Sequence, residues 1–548
     1  MKKFKWEILI FVLFILSRIP GMGHDNFTTD TWKWKSRSYD FGTGVFEMKF
    51  EKTLQKYHPG VTLMWIGTMG VKFYNLYYDL VYKTPPPDNN ISVVFGLDFT
   101  QKLLLTIVIS LALVSIYEAL KNIFNYKVAL LSVLFISLEP FYVSLTRVFH
   151  LEGLLSTFML ASTLWLYLYY LKNSNKYLLY SGIFAGLSIL TKTTALYLLP
   201  FSFIFLLIVK LKENIHRTES GKFKFSHFLR IYLLPLSIWF FTLITTIFIL
   251  WPALWVDLVG VFEAIYRGIT VIGIEREHIQ YYFGRLVEDP GISFYPVVFL
   301  YKSSVWLLVG IIGSLWVLKK LNKQERNFII YLIFYSVFYI VAISIPGKKL
   351  DRYIVPSIAS LSIIPVFFYK VIWSTLDRFK KEKINPIKIL FLSSYATLLI
   401  VTLVTMHPDY LSYYNPLFGG LRKGINVLEP KWLIGRGEII NYFSDIQNEG
   451  KFNKSTDSSI EEIIGTGEIS SVLTVGFPEK YYTQIWPFFR EIGAWAVIQD
   501  MTPQAKHAQY FVYPVWDDDS EKEVRFDIKY VTSISVRGIP IYSVYKRI

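Results

Sequence analysis

Residues 99–120 read FTQKLLLTIVISLALVSIYEAL, an apolar stretch with few polar side chains and only Lys102 and Glu118 charged. The hydrocarbon core of a bilayer is about 30 Å thick, so a crossing helix needs about 20 mostly apolar residues. This stretch meets that length, and runs of the same kind recur on both sides of it. They lie at 4–19, 126–145, 151–171, 177–191, 194–209, 231–250, 294–318, 328–345, 353–373 and 389–406. The two that flank Lys192 are short enough to form one broken unit. A further apolar run, 61–82, contains Gly67 and Gly70 just after Gly60 and is read as an interfacial element. The pattern predicts a polytopic α-helical membrane protein with about 11 transmembrane helices.

Composition leads to the same class. Of 548 residues, 53% are hydrophobic, 18% aromatic and only 18% charged, with a mean hydropathy of +0.37. Ordinary globular chains are about 25% charged, so a string of soluble domains, a disordered chain and a coiled coil are all excluded. There is no cysteine, which removes disulfides, thiolate metal sites and cysteine nucleophiles together.

The net charge of +15 is explained by where the cations fall. Lys2, Lys3 and Lys5 precede the first apolar run. Others sit in alternate connections: Lys121 and Lys127; Lys172 and Lys176; Lys210, Lys212, Arg217, Lys222, Lys224 and Arg230; Lys319, Lys320, Lys323 and Arg326; and Arg378, Lys380, Lys381, Lys383 and Lys388. Short cytoplasmic loops collect lysine and arginine in this way, so the charge marks a bilayer and not nucleic acid. The N-terminus is expected in the cytoplasm as a retained first helix, since no small-residue cleavage site follows it. The long loop 20–97 and the tail 407–548 are then extracytoplasmic, in a cell membrane. Residues 1–406 form the membrane domain. The tail alternates short apolar runs with polar stretches, as a small α/β domain does.

With that orientation the unusual polar residues gather on the outer side. They include Asp25, Asp30, Arg37 and His58 in the first loop, and Arg147, His150 and Glu152 after Glu139-Pro140-Phe141. Gly347-Lys348-Lys349-Leu350-Asp351-Arg352-Tyr353 and a segment with Tyr410, Tyr413 and Tyr414 follow. Singly, each has a plain structural reading: a helix cap, an interfacial ion pair, a snorkelling cation or an aromatic belt. Together they put carboxylates and cations at one membrane level, where ionisable groups are costly and mark a site. Guanidinium and ammonium groups suit a phosphate headgroup, and a nearby carboxylate suits proton abstraction from a hydroxyl or amine.

Several strings bear a resemblance. They are His58-Pro59-Gly60-Val61-Thr62-Leu63-Met64-Trp65, Arg147 with His150 and Glu152, Gly186-Leu187 before Thr191-Lys192, Trp251-Pro252-Ala253, Arg352-Tyr353 with Pro356, and Tyr413-Tyr414-Asn415-Pro416-Leu417 with Gly419-Gly420. In these the sequence resembles the GT-C superfamily of polyprenyl-phosphate-dependent glycosyltransferases, in its protein O-mannosyltransferase and aminoarabinose transferase branch. The resemblance implies a GT-C-like membrane part and transfer of a sugar from a polyprenyl-phosphate donor to an acceptor outside the cytoplasm. Protein, lipid and polysaccharide acceptors all fit. Asp30 matches the acidic residue that relatives carry in the first outer loop, with Thr31 where they commonly have Glu. Glu152 stands where relatives commonly carry Asp.

On this reading Asp30 is the general base of an inverting displacement and Glu152 a second catalytic acid. Arg147, Lys192, Lys348, Lys349 and Arg352 are candidates for the donor phosphate, and Arg37, His58, His150, Tyr413 and Tyr414 for the rest of the substrates. No cofactor and no metal are predicted; carboxylates are the only groups on offer to a divalent cation. The alternative is a transporter or flippase of lipid-linked saccharides. It would call for paired halves with polar residues running through the bundle, and no such repeat is visible.

Overall fold

The computed structural model describes residues 4–88, 90–217, 225–272, 279–378, 397, 400–454, 471–499, 503–516 and 527–548. Among them six helices are long and apolar enough to cross a membrane: Ile91–Ile123, Leu151–Lys172, Thr193–Leu211, Ile231–Leu250, Lys323–Ser344 and Asp351–Thr375. Two bent pairs, Tyr126–Leu138 with Pro140–Thr146 and Phe294–Lys302 with Val305–Trp316, raise the number to 8 if each is one span. The rest of the 11 expected runs fall short for identifiable reasons. Lys5–Leu16 has 12 helical residues, about 18 Å at 1.5 Å per residue, and Asn175–Thr191 has 17. The run 389–406 lies largely outside the described residues.

The glycines of the 61–82 run are there for packing. Val61–Tyr82 is one unbroken helix. A Cβ at Gly67 would collide with Ser38 and Phe149, and one at Gly70 with Gln101. These small residues let the helix settle against Thr29–Phe46 and Ile91–Ile123. Gly60, at φ +61°, starts it in the left-handed region and lies against the Trp34 ring, a place only glycine fills without strain. Gly182 and Gly186 do the same one layer away. Their Cβ positions lie 2.8 and 2.9 Å from the Trp239 and Leu243 carbonyls of the neighbouring helix, so small residues set that close approach.

Both bends are tied by one carboxylate. The first pair turns by 70° at Glu139 and the second by 110° at Ser303-Ser304. The buried Glu139 accepts from the Ser304 amide at 2.7 Å and from its hydroxyl at 2.5 Å. Asn415 binds the same break, its amide donating to the Ser303 carbonyl at 2.8 Å. Lys302, fully enclosed, donates to the Leu411 and Tyr413 carbonyls, and its ammonium lies 3.4 Å from the Tyr414 ring centre.

Beyond the last span the chain forms the expected small α/β unit. Its five-stranded sheet runs Trp495–Ile498, Thr474–Phe477, Tyr510–Pro514, Ile539–Arg547, Ile528–Val536 in spatial order. The first three are parallel and the last two antiparallel additions. Arg436–Asn448 and Glu479–Glu491 are its helices. Glu479–Glu491 reaches the membrane part: Thr29 donates to the Lys480 carbonyl at 2.9 Å, and the Trp32 indole to the Thr483 carbonyl.

Candidate active site

Four chain breaks converge on one point. The Thr29–Phe46 helix is started by a reciprocal Thr28–Thr31 capping box, which puts Asp30 in its first turn. His150 is the extended residue before Leu151–Lys172 and Glu152 lies in that helix's first turn, where the positive end of the helix dipole favours an acid. Lys192 terminates Asn175–Thr191 in an extended conformation, at the end that favours a cation. Arg352 stands in the short turn Asp351–Ile354.

The side chains interlock. Arg352 donates to Asp30 at 3.0 Å and lies 3.5 Å from Glu152; Lys192 donates to Glu152 at 2.7 Å. His150 bridges the two acids, with Nε2 3.4 Å from Asp30 Oδ2 and Nδ1 paired with Glu152 Oε2. Glu152 is completely buried, whereas Asp30 is partly open. Burial pushes the Asp30 carboxyl up, but the His150 hydrogen bond and the Arg352 charge outweigh it and hold the group well below the usual carboxylate range. Burial pulls His150 down, and the charges and hydrogen bonds of Glu152 and Asp30 override it, leaving the imidazole raised. The cluster is thus two carboxylates facing three cationic side chains, an excess that suits an added anion.

Alongside lies a cavity of about 260 Å³ lined by Tyr57, His58, Thr193, Thr194, Tyr197, Lys348 and Tyr353, with Gly268, Ile269, Ala342, Ile343 and Pro346. Tyr353 joins it to the cluster, since the Lys192 ammonium sits 3.8 Å from the centre of its ring. His58 Nδ1 is 2.9 Å from the Thr193 hydroxyl. Enclosure and the charges of Lys192, Lys348 and Arg37 push His58 down to about 3, against the opposing pull of Glu152. It is therefore neutral. A neutral polar ring and a lysine on the wall of a mostly apolar slot suit a charged headgroup with a hydrocarbon tail.

Of the residues expected at the site, Asp30, His150, Glu152, Lys192 and Arg352 come together, and His58 and Lys348 face the adjoining cavity. Arg37 lies along the Asp30 helix with its guanidinium 4.6 Å from the Trp34 ring. Four others are engaged elsewhere. Arg147 is buried in a second network, 3.2 Å from Asp25 and donating to the Arg18 and Pro20 carbonyls. Lys349 pairs with Asp289 at 2.6 Å. The Tyr414 ring covers the Lys302 ammonium, the Tyr413 carbonyl accepts from it, and the Tyr414 hydroxyl donates to the Leu428 carbonyl at 2.6 Å. The sequence reading overlooked Trp432, whose indole meets both Arg352 and His150. It also overlooked a buried chain of ion pairs, Arg147–Asp25–Lys102–Asp98–Lys35. An Asp-x-x-x-Lys pair at the head of an apolar run was the available signal for that chain. Among the described residues no three His, Asp or Glu side chains converge as a metal site would require.

Comparison with known proteins gives the following. Residues 91–239 match the family described as Dolichyl-phosphate-mannose-protein mannosyltransferase. A curated Drosophila melanogaster protein, Meiotic recombination protein P22, is 32% identical over 97 residues, 16% of this chain and 29% of the length of that protein. Among solved structures, apo ArnT from Cupriavidus metallidurans is 13% identical with a TM-score of 0.47, covering 99% of this chain and 98% of its own. The Archaeoglobus fulgidus oligosaccharyltransferase AglB, in complex with an inhibitory peptide and a dolichol-phosphate, is 11% identical with a TM-score of 0.42, covering 98% and 74%. The family match lies across the helices that carry His150, Glu152 and Lys192.

Proposed function

We propose that this protein transfers a sugar from a polyprenyl-phosphate carrier to an acceptor hydroxyl or amine on the outer face of a cell membrane. The observation that carries the reading is the meeting of Asp30 and Glu152 on His150 and Arg352, beside a slot lined by Lys348 and by the Tyr353 ring that Lys192 faces. The matched family, named for a dolichyl-phosphate-mannose donor, supports the same donor class. The tail of the lipid would lie in the apolar part of the cavity and its phosphate among Arg352, Lys192 and Lys348. These cations stabilise the phosphate as it leaves, in a site largely shielded from water.

Asp30 takes the acceptor proton. The acceptor oxygen or nitrogen forms a bond to the sugar C1 as the C1–O bond to the lipid phosphate breaks, and the configuration at C1 inverts. In the ligand-free state Asp30 is a weak base because Arg352 and His150 hold its negative charge. A donor phosphate competes for Arg352, and withdrawing that cation raises the basicity of Asp30 when the sugar is in place. Glu152 keeps His150 oriented and holds the Lys192 side chain in place. The acceptor belongs to the protein, lipid or polysaccharide class. The C-terminal α/β unit, outside the cytoplasm on this reading, is the candidate for acceptor recognition.

Asp30→Asn in proteoliposomes tests the assignment. Transfer from a polyprenyl-phosphate sugar is expected to fall by at least about 100-fold, the usual worth of a general base, with polyprenyl-phosphate binding retained. Transfer at the wild-type rate would remove Asp30 from the mechanism.

A further inference from the structure

The acids and cations of the cluster all come from the membrane part, but one wall does not. Trp432 belongs to the segment that follows the last span, and it is almost fully buried. The Arg352 guanidinium lies 4.7 Å from its ring centre. The His150 ring lies 5.1 Å away at 72°, an edge-to-face contact. A guanidinium stacks on an aromatic face by cation–π attraction without losing its in-plane donors. Arg352 can therefore keep Trp432 while it exchanges a carboxylate for a phosphate.

The residues after Trp432 are pinned from three directions. The Leu433 amide donates to the Gln484 side chain at 2.9 Å, the Tyr542 hydroxyl donates to the Ile434 carbonyl at 2.8 Å, and the Gly435 amide donates to Asp409 at 2.7 Å. Gln484 also donates to Thr29, the neighbour of Asp30, at 3.5 Å. One side chain of the outer unit thus links the strap that carries Trp432 to the first turn that carries Asp30.

We propose that Trp432 is a positioning residue for sugar transfer: its indole fixes Arg352 and His150 over Asp30 and Glu152, so that the outer unit completes the active site. The proposal rests on the glycosyltransferase reading given above. It explains why each of the three residues that follow this aromatic has its backbone hydrogen-bonded to a side chain. It also makes residues beyond the membrane part necessary to catalysis, and not only to acceptor capture.

The experiment compares Trp432→Phe and Trp432→Leu with wild type in proteoliposomes, with Asp30→Asn as the reference for the reading itself. Measured are kcat, KM for the polyprenyl-phosphate sugar, binding of polyprenyl phosphate and thermal unfolding. A desolvated cation–π contact corresponds to a factor of roughly 10 to 30. Trp432→Leu should lower kcat by about that factor while KM changes less than about threefold. Trp432→Phe, which keeps an aromatic face, should recover most of the loss. If Trp432→Leu does not fold, the Phe variant decides alone: a kcat drop of about threefold at unchanged KM supports the proposal, and full kcat overturns it. Full kcat in Trp432→Leu, with Asp30→Asn inactive, overturns the positioning role and leaves the transferase reading standing. Full activity in Asp30→Asn overturns the reading and the proposal with it.

Discussion

His150 carries opposite obligations on its two nitrogens, one toward Asp30 and one toward Glu152, and can meet both as a donor only when it is protonated. That gives the site a pH signature with a definite sign. The folded His150 is raised above its ordinary value, so its contribution to stability is complete below about pH 6.5 and is lost as pH rises through the folded value. Asp30 is lowered; its contribution is present above about pH 3.9 and is lost as pH falls through the folded value. The unfolding temperature of the purified protein should therefore fall on the alkaline side of about pH 6.5. His150→Gln should start lower and flatten that limb. An alkaline limb of the same slope in the variant would mean that other groups set it.

At the scale of the element, the two broken spans depend on Glu139. Its carboxylate satisfies both the amide and the hydroxyl of Ser304, at a helix start that no water reaches. Each buried donor left without a partner costs about 1–3 kcal/mol. Glu139→Ala strands two and should destabilise the protein by about 2–4 kcal/mol, whereas Glu139→Gln, which retains an amide oxygen, should lose less. Denaturant unfolding in detergent measures the difference, and equal losses in the two variants would count against the staple. The same region shows where sequence reading stops. Glu139-Pro140 bends the helix by 70° inside the run 126–145, which reads as one span because periodicity registers apolar faces and not a change in helix direction. Tyr413 and Tyr414 had the composition of a substrate wall. The buried Lys302, far away in sequence, engages the Tyr414 ring and the Tyr413 carbonyl away from the acid cluster. The glycines at 60, 67 and 70 looked like helix weakeners, since the neighbours that require them come from other segments.

Across the whole molecule, hydropathy made the membrane class and the C-terminal α/β unit legible, and the acid and cation motifs singled out Asp30, His150, Glu152, Lys192 and Arg352, which the fold brings together. The number of spans was less legible, because length and apolarity do not distinguish a crossing helix from a short or bent one. Arg147 was misplaced for a related reason. An arginine three residues from His150 looks like part of the same site, yet the turn between them aims the two side chains into different networks. That second network bears on the whole assembly. Asp98, fully buried at the head of Ile91–Ile123, pairs with Lys102 at 2.7 Å and with Lys35 of the Asp30 helix at 2.8 Å, and Lys102 continues to Asp25 at 2.5 Å. Asn26, next along, donates to Asp409 at 3.3 Å, and Asp409 holds the Gly435 amide. The segment ahead of Val61, the Ile91–Ile123 helix and the C-terminal unit are thus joined through buried polar contacts. Removing one partner of a buried pair leaves an uncompensated charge worth about 3–5 kcal/mol. Asp98→Asn leaves Lys35 without its carboxylate and Lys102 with only Asp25. It should lower stability by about that amount and release the Thr29–Phe46 helix, so that proteolysis in the 20–60 region and loss of transfer appear together. Replacing Lys35 by Met in the same chain removes the stranded cation and should restore part of the stability. A double variant no more stable than Asp98→Asn alone would show that this pair does not anchor the Asp30 helix.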